Sequence, residues 1–278
     1  MRSFDTRREF EAALDLDLTR VRGQARWRSL DRGGAWFYKR MTAVPSVTRW
    51  PSPWSELLCS ELLRRLGLPH LEASLLYIRE GHQWIVRLPA VERVMPSAVV
   101  ASRAPLPVAD DEVLLDAGLW RLFLFDLLVG NGDRSFANLF VTPAPARFLP
   151  IDHELALLTP SAIRPECAYF HFVPPGHPEC PESDSAHRRA LLRLRGTTAA
   201  IAEANRAYRR LRSAARMLQE PVAAWIELAQ SRLTENWFRE CVSRVPDELF
   251  PGDSAEDREY LCSTMKARVA GLPELIAA

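Results

Sequence analysis

The sequence predicts an α+β fold with two lobes, a small sheet-rich N-terminal lobe over residues 1–89 and a mostly helical C-terminal lobe over residues 90–278. Segments with strand-like apolar and aromatic patterns lie mostly in the first third of the chain. From about residue 90 the pattern becomes helical, and it is helical almost throughout beyond His187. The 278 residues are enough for two lobes that share a cleft, which we expect near residue 89.

The predicted N-terminal lobe begins with a helix and a hairpin. A short helical pattern covers residues 4–14, and residues 20–30 alternate between polar and apolar residues as a strand does. The turn residues 31–34 lead into an aromatic strand over residues 35–40, which contains Lys39. We expect these two strands to pair with each other.

A second helix and two more strands complete this lobe. The helix is expected over residues 54–66, because Gly67 occupies the C-cap position and Pro69 follows it. Residues 71–78 and 83–88 have strand-like patterns and are joined by a turn that contains glycine.

The predicted C-terminal lobe contains long helices and one short hairpin. A long helix is expected over residues 111–129, and two short strands over residues 138–141 and 147–151 flank a proline-rich turn. Residues 164–185 contain five prolines and are expected to form a loop. The last predicted helix covers residues 255–269.

The composition is that of an ordinary soluble globular protein. A formal charge of +1, from 36 basic and 35 acidic residues, excludes a protein whose whole surface binds polyanions. Five cysteines without paired spacing do not form a disulfide scaffold. The first ten residues lack an apolar signal segment, and charged residues interrupt the apolar stretch 113–130. We therefore expect a cytoplasmic protein with no membrane partner.

The basic residues are 34 arginines and only two lysines, Lys39 and Lys266. At a position that accepts either residue, this chain would normally contain arginine. A lysine ammonium is a compact charge on a flexible stem, whereas a guanidinium is a planar fork, so a site can be specific for one of them. The bias therefore makes Lys39 a candidate functional residue.

Three polar side chains between residues 130 and 153 have the chemistry of a phosphoryl-transfer site. Asp133 follows a long helix and two glycines, Asn138 precedes a short strand, and Asp152 follows the partner strand. One carboxylate can accept the proton of a nucleophile, while an amide oxygen and a second carboxylate can hold Mg²⁺. The alternative is structural, since Asn-Gly-Asp is also a common turn and Asp152 can act as a cap.

These residues belong to motifs that resemble a known family. NGDRSFAN followed by LPIDHELAL resembles the N-x-D-R-x-x-x-N and I-D-H-G-x-A-L signature of HipA-like kinases, within the larger superfamily of protein kinases and phosphoinositide kinases. It is most similar to a shorter branch with a threonine where this chain has Ser135, and Glu154 replaces the usual glycine. The C-terminal segment from VPDELF to PELI is a weaker match to the closing helix of that branch.

The resemblance implies a kinase-like fold, ATP and Mg²⁺ as cofactors, and a role for each matching residue. Asp133 matches the catalytic aspartate, and Asn138 and Asp152 match the metal ligands. Lys39 matches the lysine that binds the α- and β-phosphates of the nucleotide, a role that suits a point charge.

The same resemblance implies a glutamate partner for Lys39 on the following helix. Glu56 has the spacing that is usual in the family, and Glu61 is the alternative candidate. If Glu56 is the partner, Glu61 is expected to form a surface pair with Arg64 or Arg65. The adenine would lie near residues 88–91.

The expected function is transfer of the ATP γ-phosphoryl group to a hydroxyl acceptor, either a protein Ser or Thr or a small molecule. Two alternatives stay open. One is a nucleotide-sensing regulatory module with an arginine-rich docking face, and the other is a nucleotidyl transferase on the same fold.

Two further features permit other partners. Four potential zinc ligands lie close together in sequence, although their spacing fits no standard site and a loop beside the cleft is the simpler interpretation. They are Cys167, His171, His177 and Cys180. Between Arg188 and Arg216 there are nine arginines and one acidic residue, which indicates a solvated helix face or a docking surface for nucleic acid or an acidic partner.

Overall fold

The computed structural model shows a mixed fold of strands and helices, as the sequence predicts. It describes residues 2–14, 16–21, 26–31, 34–41, 53–89, 95–96, 119–131, 139–143, 146–151, 153, 156–157, 159, 219–250 and 253–273. The predicted loop at 164–185 lies outside these ranges, as do the four potential zinc ligands and the arginine-rich segment.

A six-stranded sheet forms the N-terminal part. Its spatial order is β1-β5-β6-β4-β3-β2, and only β1 and β5 among these neighbours run parallel. The strands are β1 (Arg2–Phe4), β2 (Leu16–Val21), β3 (Arg26–Asp31), β4 (Gly34–Met41), β5 (Ser74–Ile78) and β6 (Gln83–Pro89). The hairpin of β3 and β4 is confirmed, but the single strand predicted over residues 20–30 corresponds to parts of two strands, β2 and β3.

One face of this sheet is covered by α1 (Arg7–Leu14). Phe10 of α1 is buried, and its ring meets the rings of Phe4 and Tyr38 edge to face, at centroid distances of 5.4 Å and 5.9 Å. Ile85 of β6 belongs to the same small apolar cluster, as do Leu76 and Ile78 of β5. Such edge-to-face pairs bury large apolar area in the geometry that aromatic rings prefer, and they hold α1 against the sheet.

The other face of the sheet is covered by α2 (Pro53–Leu66). Leu58 and Leu62 of α2 share a buried cluster with Val86 of β6. The helix ends as predicted at Gly67, whose φ of +72° is in the left-handed region that favours glycine. The amide of Leu68 donates to the carbonyl of Leu63 at 2.9 Å, which is the C-terminal bond of a Schellman motif.

The strand register fixes the place of position 39 in this sheet. Lys39 of β4 pairs directly with Val86 of β6. Residues directly opposite each other on antiparallel strands share a face of the sheet. Position 39 therefore belongs to the face that α2 covers, whereas its neighbour Tyr38 lies in the cluster on the α1 side.

The remaining elements are helices and a second small sheet. The sheet has the order β7-β8-β9. These elements are β7 (Met95–Pro96), α3 (Leu119–Val129), β8 (Leu139–Pro143), β9 (Ala146–Pro150), α4 (Gln219–Arg232), α5 (Glu235–Ser243) and α6 (Ser254–Ala270), with a 3-10 turn at Asp247–Leu249. A continuous buried cluster includes residues from α2, β6, α3 and all three C-terminal helices. None of the helices described is long and apolar enough to cross a membrane.

The last helix caps its neighbour with an arginine. Arg258 of α6 donates hydrogen bonds to the backbone carbonyls of Val242 and Val245, at the C-terminal end of α5. It also forms an ion pair with Asp247 at 2.5 Å. The guanidinium thus binds one carbonyl in the last turn of α5 and one just beyond it, and so links α6 to the end of α5.

Lys266, the second lysine, lies on the surface of the same helix. Its ammonium is 2.7 Å from a carboxylate oxygen of Glu235, and its side chain is 65% exposed. Exposed ion pairs of this kind contribute between about 0 and 1 kcal/mol to stability. Lys266 therefore has a modest structural role, and arginine would reproduce it.

Two arginines join α2 to the C-terminal helices. Arg65 Nε donates to the carbonyl of Arg232 at 3.0 Å, and Arg232 Nη1 donates to the carbonyl of Arg65 at 3.1 Å. The guanidinium of Arg65 also lies 5.3 Å from the ring centroid of Trp237, within the range of a cation–π contact. These contacts fix the last turn of α2 against α4 and α5.

Candidate active site

The first turn of α2 is bound to a backbone turn at residues 153–157. Trp54 Nε1 donates to the carbonyl of Leu157 at 2.9 Å, and the hydroxyl of Ser55 donates to the carbonyl of Ala156. The amide of Ala156 donates in turn to the carbonyl of His153 at 2.9 Å, which closes the turn. Because Asp152 immediately precedes this turn, α2 holds the chain directly beside a predicted metal ligand.

A buried contact joins the same two segments. Glu56 is only 3% exposed, and its Oε2 lies 3.5 Å from Nδ1 of His153, which is also buried. A buried carboxylate is costly unless polar groups compensate it, and His153 provides one such group. Glu61, the alternative partner for Lys39, instead points outward and forms an exposed ion pair with Arg64 at 2.5 Å.

The imidazole of His153 lies among apolar groups. Its ring meets the ring of Phe125 of α3 edge to face, with centroids 6.0 Å apart. Its Nε2 is buried and has no hydrogen-bond partner among the described residues. A small, partly open pocket adjoins this pair. Its lining residues are Glu56, Ser60, Leu63, Leu71, Leu88, Pro150, Ile151 and His153.

The pocket brings together three segments that the sequence analysis singled out. Glu56 is the predicted partner of Lys39, Leu88 begins the segment predicted to adjoin adenine, and Ile151 and His153 flank Asp152. These residues are far apart in sequence, and they meet because α2 packs on β6 and binds the turn after β9.

The helix α3 ends four residues before Asp133. The helix stops at Gly130, whose φ is +65°, and the amide of Asn131 donates to the carbonyl of Asp126 at 2.9 Å in a Schellman motif. The side-chain amide of Asn131 also donates to the carboxylate of Asp126, at 3.0 Å. Asn131, which these two hydrogen bonds hold in place, precedes Asp133 by two residues.

The end of α3 is also bound to the turn after Asp152. The amide of Leu157 donates to the carbonyl of Val129 at 2.9 Å. This turn thus contacts both α2 and α3, so that three separate segments of the chain, the turn included, meet here.

The hairpin of β8 and β9 has a register that bears on the other two predicted residues. Leu139 pairs with Pro150 at the open end of the hairpin. Asn138 is bonded directly to Leu139, and Asp152 follows Pro150 by two residues. Asn138 and Asp152 are therefore one and two residues from the same end of the hairpin. Neighbouring Cα atoms are only about 3.8 Å apart, so the chain cannot carry either residue far from that end.

Several predicted residues lie outside the part of the chain that the structure describes. Asp133, Asn138 and Asp152 are among them, and for Lys39 only the backbone is described. Among the described residues, no group of three His, Cys, Asp or Glu side chains is placed to hold a metal ion. The assignments of Asp133, Asn138, Asp152 and Lys39 therefore stay predictions.

The sequence analysis missed three residues of this site. Trp54 was included in the predicted helix only by position, and Ser55 and His153 were not given a role. A serine in the first turn of a helix is usually part of a local cap, whereas Ser55 bonds to a carbonyl 101 residues away. The motif Asp-His was the available signal for His153, since a histidine fixed beside a carboxylate can orient a second polar group.

Comparisons with known proteins agree with the predicted class. The family model described as HipA-like kinase matches residues 33–204. Among solved structures, the crystal structure of the Helicobacter pylori proinflammatory kinase CtkA has a TM-score of 0.54 with this chain and 12% sequence identity, and the alignment covers 94% of each chain. At this identity the likeness shows a shared fold. The comparison with curated protein sequences yields no match.

Proposed function

Because the chain belongs to the HipA-like kinase family, we propose that it is an ATP- and Mg²⁺-dependent kinase that transfers the γ-phosphoryl group to a hydroxyl acceptor. The family match includes the whole segment from Asp133 to Asp152. The observation that supports the proposal most directly is the convergence of the flanks of this segment with α2. Asn131, the 153–157 turn and the buried Glu56 are joined by the contacts of α2 and α3.

In the proposed mechanism each polar residue has a separate task. The carboxylate of Asp133 orients the acceptor hydroxyl and accepts its proton as the oxygen attacks the phosphoryl group. Base catalysis of this kind contributes roughly 10²- to 10⁴-fold in rate. The proton passes from the hydroxyl to the carboxylate, and the new bond forms between the acceptor oxygen and the γ-phosphorus. The bond between that phosphorus and the β,γ-bridging oxygen breaks, so that ADP leaves.

Asn138 and Asp152 fit the role of metal ligands. An amide oxygen and a carboxylate oxygen are the hard donors that Mg²⁺ prefers, and the Leu139–Pro150 register favours their proximity. A bound Mg²⁺ ion would neutralise charge on the nucleotide phosphates. Lys39 would bind the α- and β-phosphates, and Glu56 would orient its ammonium from α2.

The two-lobed arrangement is part of this proposal. We place the boundary near residue 89, at the end of β6, with the nucleotide between the lobes. Leu88, near the end of β6, lines the same small pocket as Glu56 and His153, and their proximity supports the proposal. The acceptor is a protein Ser or Thr, or a small molecule with a hydroxyl group.

Labelled nucleotide tests the proposed reaction. We expect incubation with Mg²⁺ and γ-labelled ATP to transfer label to the protein itself or to water, whereas α-labelled ATP should give no labelled acceptor. Label from the α-phosphate on the acceptor would identify a nucleotidyl transferase instead. Binding of ATP without any product would favour the nucleotide-sensing module.

The two glutamates of α2 provide a separate prediction. We expect Glu56→Gln to weaken binding of Mg²⁺-ATP and to lower turnover about 10- to 100-fold, because the amide loses the charge that would orient Lys39. Glu61→Gln removes only an exposed pair and should change stability by less than about 1 kcal/mol and leave turnover intact. Calorimetry of nucleotide binding and γ-phosphate release measure both. Loss of turnover in the Glu61 variant alone would reverse the assignment.

A further inference from the structure

Arg268 is a buried charged residue that the proposed mechanism does not use. It lies in the last turn of α6 and is only 4% exposed. Burial lowers the pKa of its guanidinium to about 10, so the group still carries its charge at neutral pH. Basic residues near the C-terminal end of a helix are usually exposed. The position of Arg268 in α6 therefore does not explain why it is buried.

The guanidinium lies at the end of α3. Its Nη1 donates to the carbonyl of Leu128 at 3.3 Å. This carbonyl belongs to the last turn of α3, where intrahelical partners are missing. The adjacent carbonyl of Val129 accepts from Leu157, so the last turn of α3 is held by α6 at one carbonyl and by the turn after Asp152 at the next.

Gly130 leaves the space that the guanidinium occupies. A Cβ built on Gly130 would lie 2.7 Å from Nη2 and 2.9 Å from Cζ of Arg268, and closer still to Nη1. Contacts this short do not occur between real Cβ atoms and neighbouring groups, so any larger residue would displace the arginine. The close packing of Arg268 on Gly130 thus occurs at the residue where α3 ends and the segment towards Asp133 begins.

The energetics argue that stability alone does not explain this arrangement. Taking a charge out of water costs several kcal/mol, and replacing buried charges by apolar residues of similar size is often neutral or stabilising. An apolar side chain of similar size would fill the same volume without the cost of removing a charge from water. What it would not do is donate a hydrogen bond to the last turn of α3.

We propose that Arg268 is a positioning residue, which fixes the end of α3 and thereby the place of Asp133 in the reaction. This inference rests on the proposed kinase function for its catalytic consequence. The path is short, because Leu128 and Gly130 contact the guanidinium, Asn131 follows, and Asp133 is two residues further on. The proposal also assigns a function to the closing helix, which contains none of the residues named in the mechanism.

Arg258 provides a matched control in the same helix. It too donates to backbone carbonyls at the C-terminal end of another helix, namely that of Val242 in the last turn of α5 and that of Val245 just beyond it. The two arginines differ in the helix end that they bind. Only the end bound by Arg268 leads into the segment that contains Asp133.

The first test compares Arg268→Met with Arg258→Met in the full-length protein. We expect Arg268→Met to lower kcat for γ-phosphate transfer on the order of 100-fold, as a misplacement of about 1 Å does, with KM for ATP changed less than about threefold. Arg258→Met should keep kcat within about twofold of wild type, since no residue of the mechanism follows the helix end that it binds. Equal kcat values in the two variants, or a rise in KM with kcat unchanged, would overturn the proposal.

A second measurement does not depend on activity. Hydrogen exchange of the amides at residues 129–133 should be faster in Arg268→Met than in wild type and unchanged in Arg258→Met. If wild-type protein does not turn over ATP, the proposed function fails, and this exchange alone decides whether Arg268 fixes the end of α3. Unchanged exchange in Arg268→Met rejects that role whatever the activity.

Gly130→Ala tests the same contact, because the added methyl group would displace the guanidinium of Arg268. It replaces Arg268→Met in the experiment if that variant does not fold. Gly67→Ala is its control, because Gly67 also has a positive φ but its nearest neighbouring atom, Arg232 Nη1, would be 3.7 Å from the new Cβ. Both variants strain the backbone, and only Gly130→Ala displaces Arg268. We expect the fast exchange and the loss of kcat in Gly130→Ala only, and the same behaviour in both variants would contradict the proposal.

Discussion

Asp133→Asn is expected to keep nucleotide affinity and to lose turnover by roughly 10²- to 10⁴-fold, because the amide has the size of the carboxylate but cannot accept a proton. Asp152→Asn should behave differently. It removes a charged metal ligand, so Mg²⁺-ATP binding should weaken together with turnover. The contrast between the two variants separates a base from a ligand, although each replaces one aspartate by asparagine.

Calorimetry of Mg²⁺-ATP binding and γ-phosphate release provide the two readouts. Asp253→Asn is the matched control, since Asp253 caps the N-terminus of α6 by accepting from the amides of Ala255 and Glu256, and asparagine is an equally good N-cap. It should leave stability, binding and turnover unchanged. If Asp152→Asn binds Mg²⁺-ATP like wild type, the metal assignment is wrong. If both variants lose binding equally, the two roles are misassigned.

The sequence was sufficient for elements whose ends have strong local signals. The helix predicted over residues 54–66 is α2 (Pro53–Leu66), and it stops at Gly67 because the left-handed conformation there favours glycine. The last predicted helix, over residues 255–269, is α6 (Ser254–Ala270), which begins at the N-cap Asp253. Caps and glycines act within a few residues, so a local pattern contains them.

Elements that depend on distant partners were not predictable in this way. β1 (Arg2–Phe4) has only three residues, too few for an alternating pattern, and it exists because it pairs with β5 more than 70 residues later. Phe4 was therefore assigned to the helix that follows. The split of residues 20–30 between β2 and β3 likewise becomes visible only when both strands pair in the sheet.

The candidate site likewise has features that local sequence indicates and features that depend on distant contacts. Motif resemblance indicated Glu56, but residue patterns could not reveal that it is buried, since glutamate is almost never buried unless it is compensated. Its contact with His153 connects positions 97 residues apart. Arg268 had the appearance of an ordinary basic residue at the end of a helix, and only the packing of α6 against α3 shows that it is buried.

Lys39→Arg is the substitution for which chance and function predict opposite results. If Lys39 has no role, arginine should be silent, because 34 of the 36 basic residues in this chain are arginine. If it binds phosphates, arginine should fail, because the longer planar guanidinium cannot take the place of a single ammonium. A displacement of about 1 Å at such a site can lower the rate on the order of 100-fold.

The register of β4 makes the functional outcome the expected one. Position 39 pairs with Val86, on the sheet face covered by α2, and α2 contains the buried Glu56. We therefore expect Lys39→Arg to lose γ-phosphate transfer about 100-fold while its melting temperature stays at the wild-type value, because the charge is retained. Lys266→Arg preserves an exposed pair with Glu235 and should leave both unchanged. Full activity of Lys39→Arg would remove Lys39 from the site, and the kinase proposal would then depend on the segment from Asp133 to Asp152 alone.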